Sequence, residues 1–175
     1  MHKVAYKNFN VLAVFLLLGA VNVSGQKKDN SPGNKGQYKN IEVVKFDVKE
    51  GIQFPPDYMN GMMDETVKEL QGLKKFQQVL REGETQTDAA APTIRLIGTV
   101  TQYNPGNRTK RYLFPGAGKT KIVAHVKFID KATGNVLFEK DVDGKVVIGI
   151  FGGDSKGSLH GVGKEISEVA KKQFF

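Results

Sequence analysis

Hydrophobic and polar residues alternate in four segments of the chain, the pattern that is typical of strands with one buried face. The first segment, residues 41–48, mixes β-branched and aromatic residues with charged ones. The second covers residues 93–103, and the third and fourth begin at Thr120 and Val136. We therefore predict one strand early in the chain and three in succession in its second half.

Two turns determine how the last strands connect. Residues 130–135 are typical of a hairpin loop, in which Gly134 can adopt the positive φ that a bulged turn requires. At Asp143-Gly144 the pattern leaves two alternatives open. Either the fourth strand continues through a bulge, or the chain turns there into a further strand over residues 145–151.

Apolar residues at spacings of three and four predict two amphipathic helices. The first begins near Asp57, with Asp57 or Asn60 as its N-cap, and Gly83 closes it. The second covers residues 158–175, with Ser158 as its N-cap. The apolar stripe of the first helix consists of Met59, Met62, Met63, Val67, Leu70, Leu73, Phe76, Val79 and Leu80.

The order of these elements is strand, helix, three or four strands and helix, which predicts an α+β fold. The expected architecture is a two-layer sandwich, in which a mostly antiparallel sheet of four to five strands carries both helices on one face. Residues 41–175 have the length of one ordinary domain, so a single core is expected.

The first 25 residues are typical of a cleaved secretory signal peptide. Two lysines precede an apolar run, and Val23-Ser24-Gly25 places small residues before a cleavage point at Gln26. The run is shorter than the ~20 residues of a membrane span, and the chain has no cysteine to carry a lipid anchor. We expect an exported, soluble protein, periplasmic or extracellular, that is not lipidated and has no transmembrane span after cleavage. Residues 26–40 are polar and are expected to form a flexible leader.

Positive charge is concentrated in residues 89–129, which include no aspartate or glutamate. The formal net charge of the chain is +8, and loss of two signal lysines lowers it to about +6. Clustered cations attract anions, so residues 105–121, which we call the basic connection, form a candidate binding site. Its candidate residues are Arg108, Lys110, Arg111, Lys119 and Lys121.

Two other roles of these cations remain open. Lysines and arginines on exposed strand faces often only keep a sheet solvated and prevent edge pairing. Alternatively, Arg108 and Arg111 hold the connection against the sheet edge or against acids such as Asp141 and Asp143.

Signals for bound nucleotide, metal or other cofactor fail on spacing or context. Gly118-Lys119-Thr120 looks like the end of a phosphate-binding loop, but Leu113 stands where the motif needs a glycine, and Thr120 opens a strand rather than a helix. His125 and His160 are far apart in a chain without cysteine, so no metal site is expected. His125 shares its strand face with lysines, and we interpret it as a solvated histidine.

Several residues of the second half carry a resemblance to a known family. They are Leu96-Ile97-Gly98-Thr99-Val100, Pro105-Gly106-Asn107-Arg108, Gly116-Ala117-Gly118 and, in the predicted hairpin, Thr133-Gly134-Asn135 after Asp130. From about residue 40 onward the chain resembles the bacterial family called domain of unknown function 4410. The resemblance implies an exported protein with a small α+β domain, and it supplies no catalytic residues. Many members are lipoproteins, from which this chain differs in having no cysteine.

Two functions of different classes are weighed. The favoured one is an exported, non-enzymatic protein of the cell envelope, a binding or assembly module that uses the basic connection to contact an envelope protein or an anionic polymer. The alternative is an enzyme that acts on an envelope polymer. Hydrolysis of glycosidic bonds needs two carboxylates facing one cleft, and hairpin turns explain the clustered Asp130, Asp141 and Asp143 more simply.

Overall fold

The computed structural model describes residues 35–106, 120–145 and 156–175, and within them a six-stranded sheet carries two helices on one face. The α+β sandwich is therefore confirmed. The opposite side of the sheet is called the open face below. The elements are β1 (Asn40–Val43), β2 (Asp47–Val48), α1 (Pro56–Gly72), β3 (Gln78–Arg81), β4 (Thr93–Asn104), β5 (Lys121–Asp130), β6 (Val136–Lys145) and α2 (Lys156–Phe174).

The sheet is mixed rather than mostly antiparallel. Its strand order is β3-β1-β4-β5-β6, with β2 also paired to β4. β1 runs parallel to both of its neighbours, and β2 runs parallel to β4, whereas β4, β5 and β6 are antiparallel. The antiparallel half was predictable from successive alternating segments, but the parallel half depends on pairings between distant segments.

The predicted first strand is divided in two because Phe46 turns into the core. The side chain of Phe46 is buried, and its ring lies over Gly98 of β4. A Cβ at Gly98 would lie 2.6 Å from that ring, so only glycine leaves room for it. The chain resumes pairing with β4 at Asp47.

The first helix is shorter than predicted, and the end of its predicted stripe forms a strand. α1 ends at Gly72, and Lys74 adopts a left-handed conformation with φ of 53° that a helix cannot continue through. The backbone N–H of Gln77 then donates to the carbonyl of Lys39 at 2.7 Å, and Val79 pairs with Ile41. Pairing with β1 thus overrides the helical spacing of the residues after Leu73.

Neither predicted N-cap is used at the start of α1. Pro55 occupies the cap position, no side chain caps the helix, and Asp57 lies in the first turn. Proline is well suited to a first turn, where a missing N–H loses no helical hydrogen bond.

β6 runs without a turn or register shift through Asp143-Gly144, so neither alternative for this dipeptide is correct in the described part of the strand. Gly144 pairs regularly with Ile122, and the bulge lies instead near Ile129. The glycine is required by packing, because a Cβ there would overlap the carbonyl of Ser158 in α2. The residues of the alternative further strand beyond Lys145 lie outside the described ranges.

Ser158 links α2 to the sheet instead of capping the helix. α2 begins at Lys156, and the buried Ser158 hydroxyl donates to the Thr120 carbonyl at 3.3 Å. Further along, Gly163 lets α2 approach α1 closely, since a Cβ there would lie 2.9 Å from the backbone of Glu65 and Thr66. The two helices are thereby held together at a defined point.

The core lies between the sheet and the two helices. Its fully buried side chains come from every long element and include Ile41, Met62, Leu70, Ile94, Leu96, Ile122, Phe128 and Ile166. Tyr38, placed in the predicted leader, is also buried, with its ring 5.9 Å from that of Phe174. The predicted signal peptide lies outside the described residues, and no helix within them has the length and apolarity to cross a membrane.

Candidate binding site at one end of the sheet

Hydrogen bonds hold the residues at the two ends of the basic connection, Asn104 to Gly106 and Thr120, which we call its base. Gly106, with φ of 76°, donates its backbone N–H to the Asn104 side chain at 2.9 Å. The Thr120 hydroxyl donates to the Pro105 carbonyl at 3.1 Å, and Ser158 ties Thr120 to α2. The two ends of the connection are therefore joined to each other and to the folded core.

Only one of the five predicted site residues is described. Arg108, Lys110, Arg111 and Lys119 lie outside the described ranges, as does the Gly116-Ala117-Gly118 motif. Lys121 is the first residue of β5; it is exposed, and its Nζ lies 3.3 Å from the side-chain oxygen of Gln102. The binding role of these five cations therefore stays a prediction, whereas the base of the connection is part of the described structure.

Three aromatic rings lie beside this base. Phe54, Tyr58 and Tyr103 contact one another edge to face, with centroid separations of 5.0 to 6.2 Å. Burial raises the pKa of the Tyr103 hydroxyl, and the charge and hydrogen bond of Tyr58 raise it further. All three rings are only partly buried, so the end of the sheet combines an aromatic surface with the basic connection.

This aromatic group was not predicted from the sequence. Phe54 and Tyr58 flank the start of α1, where only their separation of four residues was visible. Tyr103 joins them because a register shift in β4 after Val100 turns it to the helix side, opposite Ile122. A bulge of this kind has no signal in the alternation pattern.

Cations elsewhere in the acid-free segment are neutralised by neighbouring strands. Arg95 lies beside Glu42 of β1, with Nε 3.0 Å from the carboxylate. Lys127 lies 3.7 Å from Glu139 of β6. The predicted surface of one sign therefore does not extend over the described part of the sheet.

Glu42 is a buried charge on the open face. Only 6% of its side chain is exposed, and Lys131 approaches it at 3.4 Å in addition to Arg95. Residues 82–92 return from β3 to β4 across β1, and Gln86 in this loop bonds both Thr93 and Lys131. Gln86 thus holds Lys131, one of the two cations that contact the buried Glu42 carboxylate.

His125 is paired with acids rather than simply solvated. Its Nδ1 lies 2.7 Å from Asp141, and its Nε2 lies 3.5 Å from Glu139. The lysines of its own strand predicted a basic surrounding, but the neighbouring strand β6 supplies the acids.

The clustered aspartates have separate surroundings. Asp130 accepts a hydrogen bond from the Tyr38 hydroxyl at 2.7 Å, and this bond lowers the pKa of the Asp130 carboxyl. Burial raises that pKa, and hydrogen bonds from the backbone N–H groups of Thr133 and Ala132 lower it further. Asp141 faces His125, and the backbone N–H of Asp143 donates to Glu165 at 2.7 Å. The hairpin turn thus explains Asp130 as predicted, whereas the same prediction is wrong for Asp141 and Asp143, which lie within β6.

A family comparison decides the relationship of the chain. The family model "Domain of unknown function (DUF4410)" matches residues 35–150, which span the sheet and the basic connection. The chain belongs to this family. The DUF4410 domain of this chain therefore includes the candidate site. The comparison with curated proteins gave no match.

Solved structures share the fold at low sequence identity. A variant of the PelC dodecamer from Paraburkholderia phytofirmans is 14% identical, with a TM-score of 0.52 over 80% of this chain and 90% of that one. Another PelC dodecamer structure from the same organism is 15% identical, with a TM-score of 0.50 over 79% and 91%. The lipoprotein GNA1162 from Neisseria meningitidis is 17% identical, with a TM-score of 0.42 over 77% and 95%. The PelC likeness establishes a common fold.

Proposed function

We propose that this DUF4410 protein is an exported, non-enzymatic module of the cell envelope that binds an anionic polymer through the basic connection. The binding residues are Arg108, Lys110, Arg111, Lys119 and Lys121. An acidic envelope protein is the other partner that such a surface would attract.

The observation that carries this proposal is the contrast in charge along the sheet. Arg95 and Lys127 of the same acid-free segment are matched by acids of β1 and β6. Residues 107–119 hold four cations and no acid, and they extend from a base fixed by Thr120 and Asn104. A one-signed segment on a rigid base concentrates anions more effectively than scattered charges do.

Two further observations support a binding or assembly role. The same end of the sheet has a partly exposed aromatic surface, formed by Phe54, Tyr58 and Tyr103. Aromatic residues are enriched in binding surfaces. The two PelC structures with this fold are dodecamers. The experiment below therefore measures the oligomeric state of this protein together with its binding.

The test is the triple variant Arg108→Ser, Arg111→Ser and Lys119→Ser, with dextran sulfate as the anionic probe and neutral dextran as the reference. We expect the wild-type protein to bind dextran sulfate and the variant to bind it weakly. Raising the salt from 0.1 M to 1 M should abolish binding, since the screening length falls from ~10 Å to ~3 Å. Light scattering on the same samples reports the oligomeric state.

A matched control removes the same charge elsewhere. Lys39, Lys171 and Lys172 are exposed lysines away from the base of the connection, and their replacement by serine should leave binding nearly unchanged. Equal losses in both triple variants would mean that net charge alone attracts the polymer, which contradicts the proposal. A lowered melting temperature of the first variant, with unchanged binding by its folded fraction, would show that Arg108 and Arg111 hold the fold instead.

A further inference from the structure

Three potential metal ligands converge where the two helices cross. Glu65 and Glu69 lie one turn apart on α1, and His160 faces them from α2. His160 Nδ1 lies 3.1 Å from a Glu65 oxygen and 3.5 Å from a Glu69 oxygen. All three ligand atoms lie within 4.8 Å of one another.

The backbone holds these side chains in place. Gly163 follows His160 by less than one turn, and its lack of a Cβ lets α2 rest directly on the backbone of Glu65 and Thr66. Gly61 makes a similar approach one turn earlier on α1, where a Cβ would lie 3.0 Å from Leu159. The separation of the helices is therefore fixed at the point from which the three ligands project.

The arrangement suits a cation better than a hydrogen bond. Two carboxylates at positions i and i+4 repel each other, yet here both point at one nitrogen. A proton on Nδ1 can be directed well at only one of them, whereas a metal ion contacts both. In tetrahedral zinc sites with bonds of about 2.0–2.1 Å, neighbouring ligand atoms lie about 3.3 Å apart. The two separations from His160 Nδ1, 3.1 and 3.5 Å, lie on either side of this value, and the Glu65 and Glu69 oxygens lie within 4.8 Å of each other.

The surroundings leave room for the ion to enter. The side chains of Glu65 and Glu69 are 29% and 24% exposed, and that of His160 is 50% exposed. Lys68 lies 3.5 Å from Glu65 on a side chain that is 69% exposed, so it can turn into solvent when an ion binds.

We propose that Glu65, Glu69 and His160 bind a divalent transition metal ion of the zinc type and so join α1 to α2. Imidazole favours zinc and related ions over magnesium or calcium, which prefer sites built from oxygen alone. Three protein ligands leave one position for water. No sequence pattern indicates this site, because His160 is 95 residues from Glu65 and no metal-binding spacing connects them.

The test uses the purified full protein without a polyhistidine tag, titrated with zinc chloride by calorimetry, and with magnesium chloride as a comparison. We expect one zinc ion per chain, a higher melting temperature with zinc, and much weaker binding of magnesium. His160→Gln should weaken zinc binding by more than about tenfold, since even outer partners of metal ligands cost 10- to 100-fold. Glu69→Gln should weaken it as well.

His125→Gln is the matched control. His125 also lies between two acids, but each ring nitrogen faces a different one, so these groups cannot surround a single ion. This variant should bind zinc like the wild type. Zinc binding that survives in His160→Gln, that is lost equally in His125→Gln, or that is absent from the wild type would overturn the proposal. Melting curves without metal show whether each variant is folded, and because His160 is half exposed we expect them to match the wild type within a few degrees.

Discussion

The two faces of the sheet use the same alternating strands in opposite ways. On the helix side, Leu96 and Phe128 are completely buried in a core that α1 and α2 close. On the open face, the same strands present Arg95, His125 and Lys127, each beside an acid of a neighbouring strand. One face is thus held by apolar packing, and the other by matched charges across strands.

The two faces should therefore contribute differently to the free energy of unfolding. Apolar burial contributes about 25 cal/mol per Å² and is not screened by salt, whereas exposed ion pairs contribute about 0–1 kcal/mol and are screened. Substitutions on the helix side should therefore lower the free energy of unfolding strongly, and most substitutions on the open face should change it little. Glu42 is the exception on the open face, because only 6% of its side chain is exposed.

Leu70→Ala should have the largest effect of the substitutions that test this comparison. Leu70 is fully buried between α1 and the sheet, and removing its side chain leaves a cavity. We expect a loss of about 2–5 kcal/mol in the free energy of unfolding, measured by urea denaturation. Leu73→Ala, at a half-buried position just after the helix, is the control and should cost clearly less. Equal costs at the two positions would show that α1 is not packed as described.

Glu42→Gln should have an intermediate effect. Glutamine keeps the shape of the side chain but removes the charge that Arg95 and Lys131 contact. The expected loss is about 1.5–3 kcal/mol, the range for hydrogen bonds to charged groups. Glu139→Gln removes a charge from the same face at a position where the side chain is 38% exposed, and should cost less. If both variants unfold at the same urea concentration as the wild type, burial of Glu42 does not strengthen its ion pairs with Arg95 and Lys131.

Asp141→Asn should have the smallest effect. The Asp141 side chain is 70% exposed, so water replaces most of what His125 loses. The expected change in the free energy of unfolding is within about 0.5 kcal/mol. A loss above about 1.5 kcal/mol would mean that the open face contributes to stability as the core does.

The antiparallel half of the fold was predictable because its information is local. β4, β5 and β6 follow one another, each is ten residues or longer, and β4 and β5 show alternation. Residues 78–81 could not be recognised as a strand, since Val79 and Leu80 also fit a helical stripe and only pairing with β1 decides between the two. The end of α1 and the parallel pairing were missed for the same reason.

The candidate sites show the same limit. The fixed base of the basic connection follows from two strands that are adjacent in sequence, so its place at one end of a hairpin was predictable. The pairing of Arg95 with Glu42 spans 53 residues, and the approach of His160 to Glu65 spans 95. Neither leaves a pattern in either segment alone, because the partners meet only after the sheet and the helices have packed.

The position of β1 between two later strands has a consequence for the order in which the protein can fold. Ile41 and Val43 are made before both of their partner strands, β3 and β4. β4 and β5 each pair with the next strand in sequence, whereas β1 cannot complete its pairing until the chain beyond Leu96 exists. During synthesis β1 can therefore pair along one edge only, with β3, and its other edge stays open to wrong partners until β4 has been made.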